Sequence, residues 1–200
     1  MNKNFSKNTE VELKLFNQIE KNKNHTQRSI SKELNIALGL SNALIKKFIN
    51  KGFLKLSQAP MRRYFYYITP KGLVEKAKLT TQFLKSSLEF YTRIRDQYEK
   101  EFLKIKKIKH NKIILVGISE FTEIAILAAK ITDIKIDLIV DENYRKRKFC
   151  EINVKYQIDP YLSDKQKVLF IISSQAGISN FLKKLSGKKN VITPDFLLLD

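Results

Sequence analysis

A single cysteine, Cys150, has no partner for an internal disulfide, and two histidines, His25 and His110, give no ligand cluster at metal spacing. A disulfide framework and structural zinc are therefore excluded. Long apolar runs are missing as well. No stretch approaches the ~18 apolar residues of a membrane span, and the N-terminal MNKNFSKNTE has no apolar segment of the signal-peptide kind. These absences point to a cytoplasmic protein with no membrane partner. Negative charge is also scarce: 20 Asp+Glu stand against 38 Lys+Arg, a net charge of +18 with a pI near 9.8. Such an imbalance calls for a polyanionic partner. It is uneven along the chain, because residues 1–110 carry 24 Lys+Arg and 9 Asp+Glu, whereas residues 111–200 carry 14 and 11. A uniform codon bias would not place the excess in one half. What remains is ample apolar material, 43% hydrophobic and 10% aromatic over 200 residues, enough for folded cores.

The first half reads as a run of short helices and a hairpin. Val11, Leu15 and Ile19 recur every four residues with Phe16 beside them, which predicts a helix from Thr9 to about Lys23. Thr26 suits the N-cap of a second helix, Gln27 to Leu34, and Asn35 suits its left-handed end. After the turn Asn35-Ile36-Ala37, a third helix buries Ser41, Leu44, Ile45, Phe48 and Ile49 and turns Asn42, Ala43, Lys46 and Lys47 elsewhere. Gly52 closes it. Phe53 to Leu56 and Tyr64 to Ile68 suit two strands, joined by the basic loop Ser57 to Arg63. Helix, turn, helix and hairpin make a winged helix, in which the third helix enters the major groove and the loop reaches flanking backbone.

The segment Thr26–Leu79 resembles bacterial winged-helix transcriptional regulators of the MarR type, particularly a subgroup linked to exopolysaccharide genes. TQRSISKELNI, FINKGFLKL and RRYFYYITPKGLVEKAKLT carry the likeness. Leu40 departs from it, since such regulators often have a polar residue there. The resemblance implies binding to double-stranded DNA and assembly as a homodimer. The expected DNA-contacting residues are Thr26, Gln27 and Arg28 on the second helix, Gly39, Asn42, Ala43 and Lys46 on the third, and Arg62 and Arg63 on the wing.

Pro70 opens a fourth helix with no breaker before about Lys107, some 57 Å if unbroken at about 1.5 Å per residue. Leu84, Tyr91, Tyr98 and Ile105 fall seven apart, with Leu88 and Phe102 at complementary positions, a heptad seam interrupted by Thr81 and Arg95. Such a helix can pair two chains or lie on its own.

From Asn111 the pattern changes. Ile113–Val116, Ile134–Val140 and Val168–Ile172 are apolar runs separated by helical segments, one after Ser119 and one from Gln175 to Leu185, with Val191-Ile192 as a fourth short strand. This predicts a small Rossmann-like parallel α/β sheet. The chain is thus expected to be an α/β multidomain protein: a winged helix over 1–72, a linking or dimerising helix over 73–110, and the Rossmann-like domain over 111–200. Gly117 follows the first strand, ahead of a helix N-terminus able to hold an anion, and Asp141 ends the second strand, where a ribose hydroxyl would be met. Gly117, Ser119, Glu120 and Asp141 are the candidate ligand residues. Ser119 and Thr122 stand where further glycines would admit a pyrophosphate, and Glu120 adds negative charge. The domain resembles Rossmann-like folds of CoA-binding and redox-sensing repressors, which implies a nucleotide or CoA-like ligand; a purely dimerising domain is the other reading.

Arg145 to Lys148 form a basic run, either a solvated surface or a second DNA backbone contact, and a redox role for nearby Cys150 would need an accessible thiol of low pKa. No nucleophile with a base, paired carboxylates or intact phosphate loop is present, so no catalytic residue is assigned and no enzyme is expected. The leading expectation is a sequence-specific transcriptional regulator. An enzyme or nucleotide-binding protein acting through the second domain, and a non-specific nucleic-acid binder, are the alternatives.

Overall fold

The computed structural model describes residues 7–21, 26–59, 63–107, 112–162, 167–174 and 179–197. By its contacts the chain separates into two units, Met1–Glu89 and Phe90–Asp200. In the first, helices α1 (Lys7–Lys21), α2 (Gln27–Glu33) and α3 (Leu38–Asn50) precede an antiparallel hairpin of β1 (Leu54–Ala59) and β2 (Arg63–Ile68). The elements follow the sequence expectation with small shifts at their ends. Asn35 and Gly52 take left-handed conformations, φ 52° and 73°, at the ends of α2 and α3. Leu15, Phe16, Ile19, Ile30, Ile45, Phe48, Phe53, Leu54 and Tyr66 form the core. The Phe16 and Phe48 rings lie 4.7 Å apart, and Phe53 meets Phe48 edge-on at 5.7 Å.

The Thr69-Pro70-Lys71-Gly72 turn shows why its residues are needed. The Thr69 hydroxyl donates to the Gly52 carbonyl at 2.6 Å and accepts the Gly72 N–H at 3.0 Å, so it caps α4 (Pro70–Lys106) and ties it to the end of α3. A Cβ on Gly72 would fall 2.1 Å from the Phe53 carbonyl oxygen, a separation no side chain tolerates. The predicted seam on α4 divides. Ile94, Tyr98, Phe102 and Ile105 are buried in the core of the second unit, whereas Leu84 and Leu88 are 55% and 66% exposed.

The second unit is a six-stranded sheet in the order β5-β6-β4-β3-β7-β8. Its strands are β3 (Lys112–Val116), β4 (Leu138–Val140), β5 (Lys148–Phe149), β6 (Ile152–Lys155), β7 (Val168–Ile172) and β8 (Val191–Ile192), with helices α5 (Glu120–Ile131) and α6 (Ser179–Leu185). Successive side chains of a strand face opposite ways. Ile113, Leu115, Ile139, Leu169 and Ile171 accordingly pack with α5 and the end of α4, while Ile114, Val116, Val140, Phe170 and Ile172 pack with Phe181 and Leu185 of α6. Both faces are covered, which is why these strands read as continuous apolar runs.

Two sequence expectations change here. The sheet is mixed, because β5 pairs antiparallel with β6 while the other pairings are parallel. That hairpin turns at Cys150 and Glu151, both left-handed at φ 45° and 66°; without glycine or asparagine the turn gave no signal. The strand expected over Ile134–Val140 is confined to Leu138–Val140. Just before it, the Asp137 carboxylate accepts the Ile113 N–H at 2.8 Å. Gln175, the expected start of the last helix, lies outside the described residues.

Candidate nucleic-acid interface

The N-terminus of α2 is built by a reciprocal cap. Thr26 Oγ1 accepts the Ser29 N–H at 3.1 Å, while Ser29 Oγ accepts the Thr26 N–H at 3.1 Å and donates to the Thr26 carbonyl at 2.8 Å. The Thr26 hydroxyl keeps its own proton, and an exposed residue at a helix start can offer it to a phosphate. Arg28 is exposed and Gln27 half-buried.

On α3, Ser41, Ile45 and Phe48 face inward. The opposite side presents Gly39, Leu40, Ala43 and Lys46, all exposed. Residues 39, 43 and 46 are three or four apart and share one helix face. Gly39 has open space where a side chain would be. Leu40 is 57% exposed, an apolar side chain on this open face. Asn42 is half-buried, and its Oδ1 is shielded from solvent with no hydrogen-bond partner among the described residues. The two adjacent lysines have different surroundings. Lys47 pairs with Glu12 of α1 at 2.6 Å, while Lys46 makes no ion pair among the described residues. Arg62 lies outside the described residues, and of Arg63 only the backbone, which opens β2, is described.

One feature escaped the sequence reading. Lys51 and Lys71, twenty positions apart, hold their ammonium groups 5.7 and 5.8 Å from the centre of the same Phe53 ring. Lysine abundance alone could not single them out.

In the second unit, Gly117 (φ 89°), Ser119 and Asp141 gather at the carboxyl ends of β3 and β4, whereas the strand order reverses on the other side of β3, between it and β7. Their polar groups bind one another. Asp141 Oδ2 accepts the Ile118 N–H at 2.8 Å, and Oδ1 accepts those of Asn143 and Tyr144 at 2.8 and 2.9 Å. Thr122 Oγ1 accepts the Ser119 N–H at 3.0 Å and contacts the Gly117 carbonyl at 3.0 Å. Ser119 Oγ accepts the Phe121 N–H at 3.2 Å and donates to the Ser173 carbonyl at 2.9 Å. Ser173, which sequence reasoning passed over, donates its hydroxyl to the Gly117 carbonyl at 2.7 Å. The N–H groups of Ile118, Ser119 and Phe121 that an anion would use are thus already donated within the fold. Glu120 is exposed at the first position of α5.

Among the described residues no helix is long and apolar enough to cross a membrane, and no group of His, Cys, Asp or Glu is placed to hold a metal ion.

Residues 9–55 match the model of a family described as winged helix-turn-helix DNA-binding. No curated protein matches the chain. Among solved structures it is similar to the PcaV transcriptional regulator from Streptomyces coelicolor, at 16% identity and TM-score 0.42, over 53% of this chain and 80% of that one. It is also similar to Streptococcus pneumoniae FabT in complex with DNA, at 23% identity and TM-score 0.35, over 66% and 73% of the two chains. Lactococcus lactis ZitR, a zinc-responsive MarR family member, matches at 20% identity and TM-score 0.35, over 54% and 72%. With its capped α2, its α3 bared on one face and the β1–β2 hairpin that follows the matched segment, the first unit has the winged helix-turn-helix fold of that DNA-binding family.

Proposed function

We propose that the chain is a transcriptional regulator that binds a specific duplex site as a homodimer. The observation that carries this is the exposed face of α3, Gly39, Leu40, Ala43 and Lys46, within the winged-helix module. In this reading Gly39, Ala43 and Lys46 meet base edges or adjacent phosphates in the major groove, and Asn42, whose Oδ1 is shielded from solvent, reaches them through its amide nitrogen. Thr26, Gln27 and Arg28 contact backbone from α2, and Arg62 and Arg63 reach it from the wing. Support for a second copy comes from α4, which leaves Leu73, Val74, Leu84 and Leu88 exposed. A nucleotide or CoA-like ligand, in the same reading, meets Gly117, Ser119, Glu120 and Asp141, and their convergence at the strand ends is what supports it. Such a ligand must displace hydrogen bonds the fold already makes there.

Selection of binding sites from random duplex DNA tests the core of this proposal. An enriched inverted repeat is the expected result, and enrichment of nothing overturns sequence-specific recognition. Native mass spectrometry of the same preparation reports subunit number and any retained small molecule.

A further inference from the structure

We infer that Arg145, Lys146 and Arg147 form a second DNA-backbone contact, carried by the C-terminal unit and separate from the winged helix. Arg145 to Lys148 is the longest unbroken basic run in the sequence. Of the 14 Lys+Arg in residues 111–200, four are Arg145 to Lys148, and the other ten stand against 11 Asp+Glu. Local concentration of charge, and not a general excess, is the mark of a phosphate-binding surface.

The run is exposed but not loose. Asp141 receives the Tyr144 N–H ahead of it, and the Tyr144 ring meets Phe149 edge-on at 5.7 Å. The Tyr156 hydroxyl donates to the Arg145 carbonyl at 3.1 Å, and the Val154 N–H donates to the Arg147 carbonyl at 2.8 Å. A backbone held at Tyr144, Arg145 and Arg147 presents its side chains with less ordering still to be done on binding. Nearby acidic groups are occupied elsewhere: Glu151 pairs with Lys148 at 3.3 Å, Glu142 accepts from Asn180 at 3.1 Å, and Asp141 is buried. Arg145, Lys146 and Arg147 make no ion pair among the described residues, and exposed Lys155 lies next to Tyr156 on the neighbouring strand. Protection of a sheet edge by charge is the competing explanation. It requires a cation on the edge strand itself, which Lys148 already supplies, and it leaves the three preceding cations unexplained.

This inference rests on the DNA-binding reading, so the test separates the two. Binding of the full chain to a mixed-sequence duplex is measured by fluorescence anisotropy across a salt series. The variants are Arg145→Gln/Lys146→Gln/Arg147→Gln and, as a control of equal charge, Lys130→Gln/Lys135→Gln/Lys183→Gln. Each phosphate contact contributes about 0.9 to the slope of log K against log salt. The first variant is expected to flatten that slope by about 2 to 3 and the control to leave it unchanged. Equal slopes for wild type and first variant, or equal flattening by both variants, overturn the inference while leaving the winged-helix reading in place. A wild type that fails to bind the duplex overturns that reading, and this inference with it. All six residues are exposed, and thermal melts verify that each variant is folded.

Discussion

The Asp141 carboxylate holds the Ile118 N–H at 2.8 Å, joining the end of β4 to the turn that leads from β3 into α5. With its other oxygen on Asn143 and Tyr144, this buried side chain organises two loops at once. Removing it leaves three backbone donors to find new partners. Asp141→Ala should destabilise the second unit by at least about 3 kcal/mol, and Asp141→Asn should recover only part, because an amide offers one acceptor oxygen in place of two. Hydrogen exchange at Ile118, Asn143 and Tyr144 reports the change directly. Unaltered protection of all three amides would refute the assignment.

Two glycines in the first unit should respond in opposite ways. Gly72→Ala places a methyl against the Phe53 carbonyl and should cost about 2–3 kcal/mol through forced backbone shifts. Gly39→Ala meets open space, so stability should hold or rise by up to about 1 kcal/mol from helix propensity. DNA affinity should nevertheless fall in Gly39→Ala if the duplex approaches this backbone. Denaturant melts and anisotropy on the same samples separate the two effects.

The cap at Thr26 links stability to binding. Thr26→Ala loses the acceptor for the Ser29 N–H and should cost about 1 kcal/mol. Thr26→Ser keeps the acceptor and should restore both the melting temperature and the affinity. Failure of serine to rescue would show that the threonine methyl matters instead.

Base readout and backbone contact should respond to different DNA. Asn42→Ala is expected to narrow the gap between a selected site and random duplex. Paired replacement of Arg62 and Arg63 by alanine should weaken both about equally. Competition titrations measure the gap, and an unchanged ratio for Asn42→Ala removes it from the readout set.

Self-association should depend on the exposed part of α4. Leu84→Glu with Leu88→Glu puts charge where the helix shows apolar surface and should shift sedimentation toward the monomer. The fold should be retained, since neither side chain belongs to a core.

Asp159 supplies a pH marker. Its carboxyl is held below the usual range by the hydrogen bond from Lys184, 2.7 Å long. A depressed folded value means that the pairing favours the fold above the ordinary carboxylate range and that this contribution fades as pH falls through the folded value. In Lys184→Gln the Asp159 titration, followed by NMR, should move upward.

Much of the fold was legible because it is local. Heptad and four-residue spacings marked the helices, Thr26 and Ser119 are found as caps, and Asn35 and Gly52 take the left-handed conformations their residue types favour. Apolar runs marked β3 and β7 because both faces of the sheet are covered. The β5–β6 hairpin was illegible, since its strands are short and Cys150-Glu151 is an unusual pair for its turn.

The winged helix, its exposed third helix and the α/β character of the second half were therefore determined by sequence alone, through periodicity, capping and burial pattern. Tertiary structure decided how shared groups are spent. It placed Lys51 and Lys71 over one Phe53 ring, gave the rear half of the α4 seam to the second unit's core, and turned Asp141 inward onto three backbone amides. Spacing along the chain assigns a residue to a face of its own element. Which atom of a distant element meets it depends on how elements pack.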